Sequence, residues 1–235
     1  MSNYTIKGYA GKFLRIDMTH RKVSTVIFNE QTLRKYIGGT GIGSKILYSE
    51  VSPKIEWSDP ANRLIIASGP LGGTSVGGSG TISVVTKGAL TDGATATQAN
   101  GNFGAYLKLC GIDGLIVQGS AKRWMYLCID DGCIELREAS HLLGRDTYEI
   151  NDLIKAEMGK NGFTISVASI GPAGENQVRF AGIFIDKGHA AAHNGVGAVM
   201  GSKKLKAISV VRGKKRFKYM MSKNFLILQQ SFVNK

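Results

Sequence analysis

Apolar residues alternate with polar ones, or form short continuous runs, in many segments of this chain, and glycines separate these segments. A period of two in runs rich in β-branched residues is typical of β-strands. Within "MYLCIDDGCIELRE", Asp131-Gly132 predicts a hairpin with a two-residue turn. The other predicted strands are "GKFLRIDM", "KVSTVIF", "RLIIASG", "TISVVTK", "GLIVQG", "TISVASIG", "RFAGIF" and "KAISVV".

Apolar residues that recur every three or four positions predict helices in a second set of segments. These are "NEQTLRKYI", "GIGSKILYSEV", "NFGAYLKLCG", "TYEINDLIKAEMG" and "GAVMGSKKL". Strands outnumber helices, and the two kinds of element do not alternate in a strict strand–helix–strand order. We therefore predict an α+β fold with mixed β-sheets.

Two pairs of similar segments indicate an internal duplication. "IIASGPLGG" at residues 65–73 resembles "SVASIGPAGE" at residues 166–175, because each is a predicted strand that runs into a Gly-Pro turn. "GTGIGSKIL" at residues 39–47 likewise resembles "GVGAVMGSKKL" at residues 195–205. Matches this short also arise by chance in a glycine-rich chain, so the duplication is a hypothesis.

The composition favours a globular, cytoplasmic protein. The chain has 235 residues, 43% of them hydrophobic, which is enough to bury a substantial core. No stretch reaches the roughly 18 consecutive apolar residues of a membrane span, and the N-terminus lacks the basic and apolar regions of a signal peptide. The three cysteines, Cys110, Cys128 and Cys133, fit neither a disulfide framework nor a metal site, so we expect core thiols.

The formal net charge of +13 is concentrated at the C-terminus, because the chain from Lys203 onward contains many Lys and Arg residues and no Asp or Glu. We therefore distinguish a domain of residues 1–213 from a basic divergent tail, residues 214–235. The tail is open to two interpretations: a solvated terminus, or a segment that holds an acidic protein or a nucleic acid. Nucleic acid is the weaker interpretation, since no recognisable reader motif accompanies the charge.

Two glycine-rich segments each have a functional and a structural interpretation. "GGTGIG" at residues 38–43 could expose backbone amides to a phosphate, but it follows a predicted helix instead of a buried strand. That context favours close packing of backbone against backbone over a nucleotide site. Residues 69–104 are either a mobile surface loop or a wall of small residues that lets the backbone approach a large flat ligand.

The chain has no convincing catalytic constellation. Its four histidines lie in no nucleophile motif, and the pair His189 and His193 has Ala190 where a zinc-protease motif needs glutamate. Asp130 and Asp131 lie at the hairpin turn, and the acidic residues of "TYEINDLIKAEMG" fit the solvated face of a helix. These patterns favour a binding surface over a self-contained active site.

One family shares a long series of these segments in the same order. "RKYIGGTGIGSKILYSEV", "ANRLIIASGPLGGTSV", "SVVTKGALT", "SIGPAGENQVRFAGI" and "GVGAVMGSKKLKAI" resemble the N-terminal domain of aldehyde ferredoxin oxidoreductases. The resemblance runs from about residue 8 to about residue 213, and "GPAGEN" and "GAVMGSK" are its most specific motifs.

The resemblance implies both a fold and a function. Members of this family oxidise aldehydes to carboxylic acids with a tungsten or molybdenum bis-pterin cofactor, and a four-iron four-sulfur cluster passes the electrons to ferredoxin. Their N-terminal domain has two mixed β-sheets with a few helices, is internally duplicated and carries the flat cofactor. The cluster cysteines and the catalytic groups belong to helical domains absent from this sequence. We therefore expect a partner subunit that carries them, with ferredoxin as an indirect partner and no membrane contact.

The family's cofactor contacts carry over with changes. A pterin-contacting arginine falls on Thr81, and the arginine of a Gly-Gly-Arg-Gly motif falls on Thr40. The family's "RAAGRGGVG" corresponds to "HAAAHNGVG", so two further arginines become histidines. Asparagine and glycine contacts in a loop fall on Gln98 and Asn100. The resemblance thus assigns cofactor binding, and no catalytic or metal role, to Thr81, Gln98, Asn100, His189, Ala190, Ala192 and His193.

Threonine and histidine cannot replace the bidentate, permanently charged contact that arginine makes with phosphate. Two hypotheses follow. In the first, the chain is the cofactor-binding N-terminal domain of a tungsten or molybdenum aldehyde ferredoxin oxidoreductase, either truncated or a separate subunit, and is inactive alone. In the second, it is a degenerate, non-enzymatic binding or assembly protein that uses its basic tail to hold an acidic partner or a nucleic acid.

Overall fold

Two six-stranded β-sheets, one from each half of the chain, form the framework of this computed structural model, which describes residues 7–215. The first half contains β1 (Phe13–Asp17), β2 (Lys22–Val26), α1 (Glu30–Tyr36), α2 (Gly39–Glu50), β3 (Leu64–Ala67), β4 (Ile82–Lys87), β5 (Ala94–Ala99), α3 (Phe103–Leu109) and β6 (Gly114–Gln118). The second half contains β7 (Met125–Asp130), β8 (Cys133–Glu138), α4 (Thr147–Glu157), β9 (Ile165–Ser169), α5 (Pro172–Glu175), β10 (Ile183–Ile185), β11 (His189–Ala191), α6 (Val196–Ser202) and β12 (Leu205–Val211).

The two sheets have the same topology, which confirms the duplicated α+β fold. The first sheet has the strand order β2-β1-β6-β3-β4-β5, and the second has the order β8-β7-β12-β9-β10-β11. In each sheet, the last strand of the half pairs in parallel with the first strand, and every other pairing is antiparallel. The helices correspond as well, since α2 and α4 follow the first hairpin of their half and α3 and α6 follow the second hairpin.

The core lies between the two sheets, and α3 and α6 help to fill it. Every residue of α6 from Val196 to Gly201 is buried, as are Phe103 and Leu107 of α3. Inward-facing residues of both sheets, such as Leu64 and Leu127, join the same apolar cluster. A second cluster holds α1 and α2 against the outer face of the first sheet, and a third holds α4 against the outer face of the second.

Local signals in the sequence explain where several elements begin and end. The Asp131-Gly132 turn connects β7 to β8 with both residues at positive φ, 36° and 109°, as a two-residue hairpin turn requires. Asp146 begins α4 with a capping box, in which its carboxylate accepts from the Glu149 backbone amide and Glu149 accepts from the Asp146 amide. Asn29 caps α1 in a simpler way, by accepting from the Thr32 amide.

Most of the predicted strands and helices are present, and the differences are informative. The first pair of similar segments is equivalent in the two halves, but the second pair is not, because "GTGIGSKIL" forms α2 whereas "GVGAVMGSKKL" leads into α6. "RFAGIF" becomes a strand only from Ile183. Strands β5 and β11 were not predicted. Cys110 and Cys128 are buried as expected, but Cys133 is exposed, because it lies on an edge strand next to the hairpin turn.

Residues 216–235 lie outside the described part of the chain, so the domain boundary at residue 213 and the role of the basic tail stay predictions. Among residues 7–215, no helix is long and apolar enough to cross a membrane. The cytoplasmic location likewise stays a prediction.

Candidate functional site

The candidate site lies where the two sheets approach each other edge to edge. Strand β5 ends the first sheet, β11 ends the second, and these two edge strands are in contact. The Thr97 hydroxyl lies 3.4 Å from His193 Nδ1, and a methyl group added to Gly101 would come within 3.2 Å of the His189 ring. The two strands therefore run antiparallel past each other. We call the surface along this line, formed by Thr81, Gln98, Asn100 and residues 189–193, the seam.

On the side of the first sheet, the seam consists of neutral hydrogen-bonding side chains. The Thr81 hydroxyl donates to Asn100 Oδ1 at 2.7 Å, which fixes the orientation of that amide. Gln98 is exposed and lies opposite Ser83 in the β4–β5 pairing. Ser83 in turn accepts a hydrogen bond of 3.1 Å from the hydroxyl of Thr40. The first turn of α2 thus lies beside Gln98.

On the side of the second sheet, the seam consists of small residues and two histidines. Ala190, Ala192, His189 and His193 are all exposed, whereas Ala191 points into the core. The alanine side chains reach no further than a methyl group, so a ligand could approach the backbone of β11 closely. These alanines lie outside residues 69–104, so the interpretation of that segment as a wall for a flat ligand stays a prediction.

The turn after β11 shows why this part of the sequence uses Asn and Gly. Asn194 has a φ of 58°, and its side chain accepts from the Thr91 amide at 2.9 Å and donates to the Thr91 hydroxyl at 2.9 Å. Gly195 has a φ of 71°, and a methyl group there would lie 1.9 Å from the Arg179 carbonyl oxygen. This turn therefore joins the β4–β5 hairpin to the start of α6.

The motif "GGTGIG" has a packing role, as its context predicted. A methyl group on Gly41 would lie 2.2 Å from the Tyr36 carbonyl oxygen, and one on Gly43 would lie 2.6 Å from Val85. Both glycines therefore let α2 pack closely against its neighbours.

The two most specific motifs of the resemblance contact each other. Lys206 has no exposed surface, and its ammonium group binds the Glu175 carboxylate of "GPAGEN" and donates to the Ile170 carbonyl at 2.7 Å. Burial lowers the pKa of Lys206, although Glu175 opposes the shift. A methyl group on Gly201 of "GAVMGSK" would lie 1.9 Å from the Gly174 carbonyl oxygen. These motifs therefore stabilise the fold.

Sequence reasoning missed three lysines that have no exposed surface, Lys108, Lys203 and Lys206. Lys108 forms an ion pair with Asp113, and that carboxylate also accepts from the backbone amides of Ala10 and Gly11 at 2.9 and 2.7 Å. Burial lowers the pKa of Lys108. No periodicity signals such contacts, because a lysine in a strand or at a helix end is normally exposed.

Thr81 is hydrogen-bonded to Asn100, and His193 lies 3.4 Å from Thr97 of β5. Strand β5, which carries Gln98, contacts β11, which carries His189 and Ala190. The structure thus defines a duplicated two-sheet scaffold whose edge strands β5 and β11 are in contact.

Comparison with known proteins identifies the family of this scaffold. Residues 13–213 match the family described as aldehyde ferredoxin oxidoreductase, N-terminal domain. A tungsten-containing aldehyde ferredoxin oxidoreductase of Thermococcus kodakarensis is 42% identical over 228 residues, and one of Pyrococcus furiosus is 40% identical. The chain therefore belongs to the aldehyde ferredoxin oxidoreductase family, and it corresponds to the N-terminal domain.

Other relatives have different activities in their names. The WOR-like subunit of an aliphatic sulfonate oxidoreductase from Pyrococcus furiosus is 38% identical over 213 residues. Among solved structures, the active site complex BamBC of benzoyl coenzyme A reductase, with 1,5-dienoyl-CoA, matches with a TM-score of 0.85 and 35% identity, over 89% of this chain and 32% of that one. The matches cover 97% of this chain but only 37% of the two aldehyde oxidoreductases.

Proposed function

We propose that the seam binds the pterin of a tungsten or molybdenum cofactor, and that the chain acts as the cofactor-binding part of an aldehyde ferredoxin oxidoreductase. The proposal rests on one observation, the contact between β5, which carries Gln98, and β11, which carries His189 and Ala190. The catalytic groups and the iron-sulfur cluster would belong to further polypeptide, because this chain matches about a third of its relatives' length.

The shape of the seam and its donors fit a flat heterocycle. Exposed Ala190 and Ala192 leave one side free of bulky groups, and the amide of Asn100 is held in place by Thr81. A pterin ring has hydrogen-bond donors and acceptors along its edge, and the amides of Gln98 and Asn100 offer both kinds of group. A few placed polar groups on a largely small-residue surface are typical of cofactor sites.

The seam's charge fits the cofactor's phosphate less well than its shape fits the ring. Threonine and histidine stand at the four positions where the resemblance places arginine, and each makes fewer and weaker contacts with phosphate. When bound, the metal of the cofactor supplies the two-electron oxidation of the aldehyde. This chain's residues would bind and orient the ring.

A partner polypeptide would cover the apolar side chains that surround the seam. Tyr48 is 91% exposed and borders a groove of about 620 Å³ between α2 and the β4–β5 hairpin, next to Ala94 and Ala96. Phe180 is also largely exposed, close to the turn that follows β11. Exposed apolar patches of this kind are typical of surfaces that contact another chain.

The test begins with the chain purified from its own host without chelators. Tungsten and molybdenum are measured by mass spectrometry, and pterin is measured by the fluorescence of its oxidised form. We expect one of the two metals together with pterin, at higher occupancy when neighbouring gene products are co-expressed. A chain that never contains metal or pterin, alone or co-expressed, contradicts the proposal.

A gain-of-charge variant makes the test specific to the seam. Thr81→Arg restores a cation where the resemblance places one, and it should raise pterin retention several-fold. Thr25→Arg is the matched control, because Thr25 is an exposed threonine on β2, at the opposite edge of the first sheet. Equal retention in the two variants would show that the seam does not bind the cofactor.

A further inference from the structure

The three-residue turn between β10 and β11 belongs to the second sheet and contacts the loop that follows β5 in the first half of the chain. Ile185 pairs with His189 across this turn, so Asp186, Lys187 and Gly188 form its loop. Asp186 has a φ of 48° and Lys187 a φ of 70°. Two successive non-glycine residues with positive φ are unfavourable, and they persist only where surrounding contacts hold them.

The Asp186 carboxylate makes contacts in two directions. Its Oδ1 accepts from the Ser166 hydroxyl at 2.7 Å and from the Val167 amide at 3.2 Å, which attaches it to β9. Its Oδ2 accepts from the backbone amide of Asn102 at 2.9 Å. Asn102 ends the loop that follows β5 and is the N-cap residue of α3. One carboxylate therefore ties the second sheet to the loop that carries Asn100.

Gly101 allows this approach. It has a φ of 104°, and a methyl group there would lie 3.0 Å from Asp186 Oδ2 and 3.2 Å from the His189 ring. The loop thus passes within contact distance of both groups only because position 101 has no side chain.

Lys187, the second residue of the turn, is held by contacts with α4. The Lys187 ammonium pairs with Asp152 of α4 at 2.7 Å and lies 5.8 Å from the centre of the Tyr148 ring. The turn is therefore held between α4 and the Asn102 amide, and His189 follows it directly.

We infer that Asp186 is a positioning residue, which holds the Asn100–Asn102 loop against β11 and thereby sets the position of Gln98 and Asn100 relative to His189 in the seam. The inference deepens the proposed function and takes its biological meaning from it. The positioning itself can be measured without cofactor.

The experiment compares Asp186→Asn with Ser166→Ala by backbone and side-chain amide NMR and by hydrogen exchange. The asparagine keeps one acceptor for β9, but its NH₂ group cannot accept from the Asn102 amide. We expect Asn102 exchange to accelerate about tenfold or more, and the side-chain resonances of Gln98 and Asn100 to shift. Ser166→Ala removes a donor on the β9 side only, so it should lower stability and leave these signals unchanged.

Unchanged Asn102 exchange in Asp186→Asn, or an equal change in Ser166→Ala, would overturn the inference. If Asp186→Asn does not fold, Gly101→Ala tests the same contact from the loop side, and unaltered Gln98 and Asn100 resonances there would also overturn it.

Pterin retention separates this inference from the proposed function. If the wild-type chain retains pterin, Asp186→Asn should retain several-fold less, and equal retention with a displaced loop overturns the role in the seam. If the wild-type chain never retains pterin while the NMR changes occur, the proposed function fails and the positioning stands.

Discussion

Lys203 makes the stability of this protein depend on pH in a predictable direction. It follows α6, its side chain has no exposed surface, and its ammonium group donates to the carbonyls of Asn62 at 2.7 Å and Gly119 at 3.4 Å. Burial, together with the nearby positive charge of Arg63, lowers the pKa of Lys203 from 10.5 to about 7, and Asp59 offsets this only partly. The folded state is therefore more stable when this lysine is neutral.

The sign and size of the effect follow from proton linkage. An unfolded chain keeps the proton on this lysine up to pH 10.5, whereas the folded protein releases it near pH 7, so the unfolded state holds more protons between these values. The free energy of unfolding should therefore rise with pH by about 1.4 kcal/mol per pH unit in that range. Over the whole interval, the difference in pKa corresponds to roughly 5 kcal/mol.

The assay is urea unfolding followed by circular dichroism at several values of pH from 7 to 10. Lys203→Met removes one titrating proton, so it should reduce the slope of the unfolding free energy against pH by about 1.4 kcal/mol per pH unit. Lys204→Met is the matched control, because the Lys204 ammonium donates to the Lys122 carbonyl at the surface and should leave the slope unchanged. The reasoning is refuted if Lys203→Met and wild type have the same slope.

Two further predictions concern the family motifs. Glu175→Ala leaves buried Lys206 without its carboxylate, so urea unfolding should show a free energy of unfolding lower by about 3–5 kcal/mol. Adding Lys206→Met should recover part of this loss. A double variant no more stable than Glu175→Ala would contradict the prediction. Gly201→Ala places a methyl group 1.9 Å from the Gly174 carbonyl oxygen and should cost about 2–3 kcal/mol or more. Gly77→Ala, with open space around it, is the control, and equal melting temperatures of these two variants would exclude the packing argument.

Most of the strands that the sequence predicted have large apolar side chains on a buried face. In β3 and β4 every residue is buried, and the runs of Ile and Val in them are distinctive. Strands β5 and β11, "ATATQA" and "HAA", contain mostly small or polar residues, so their own composition does not favour a strand. They adopt this conformation because β4 and β10 supply backbone partners for them.

The sequence by itself determined the family, the α+β class and most element positions, whereas the seven site residues that it assigned through the resemblance stay a prediction. Only the tertiary structure decided that Gly101 passes beside the His189 ring, and that Asp186 reaches the Asn102 amide. The same holds for the burial of Lys203 and the pairing of Lys206 with Glu175. Each of the contacts between distant residues depends on how the two sheets and their connections pack together. Periodicity reports which face of an element is apolar, but it does not report which other element covers that face.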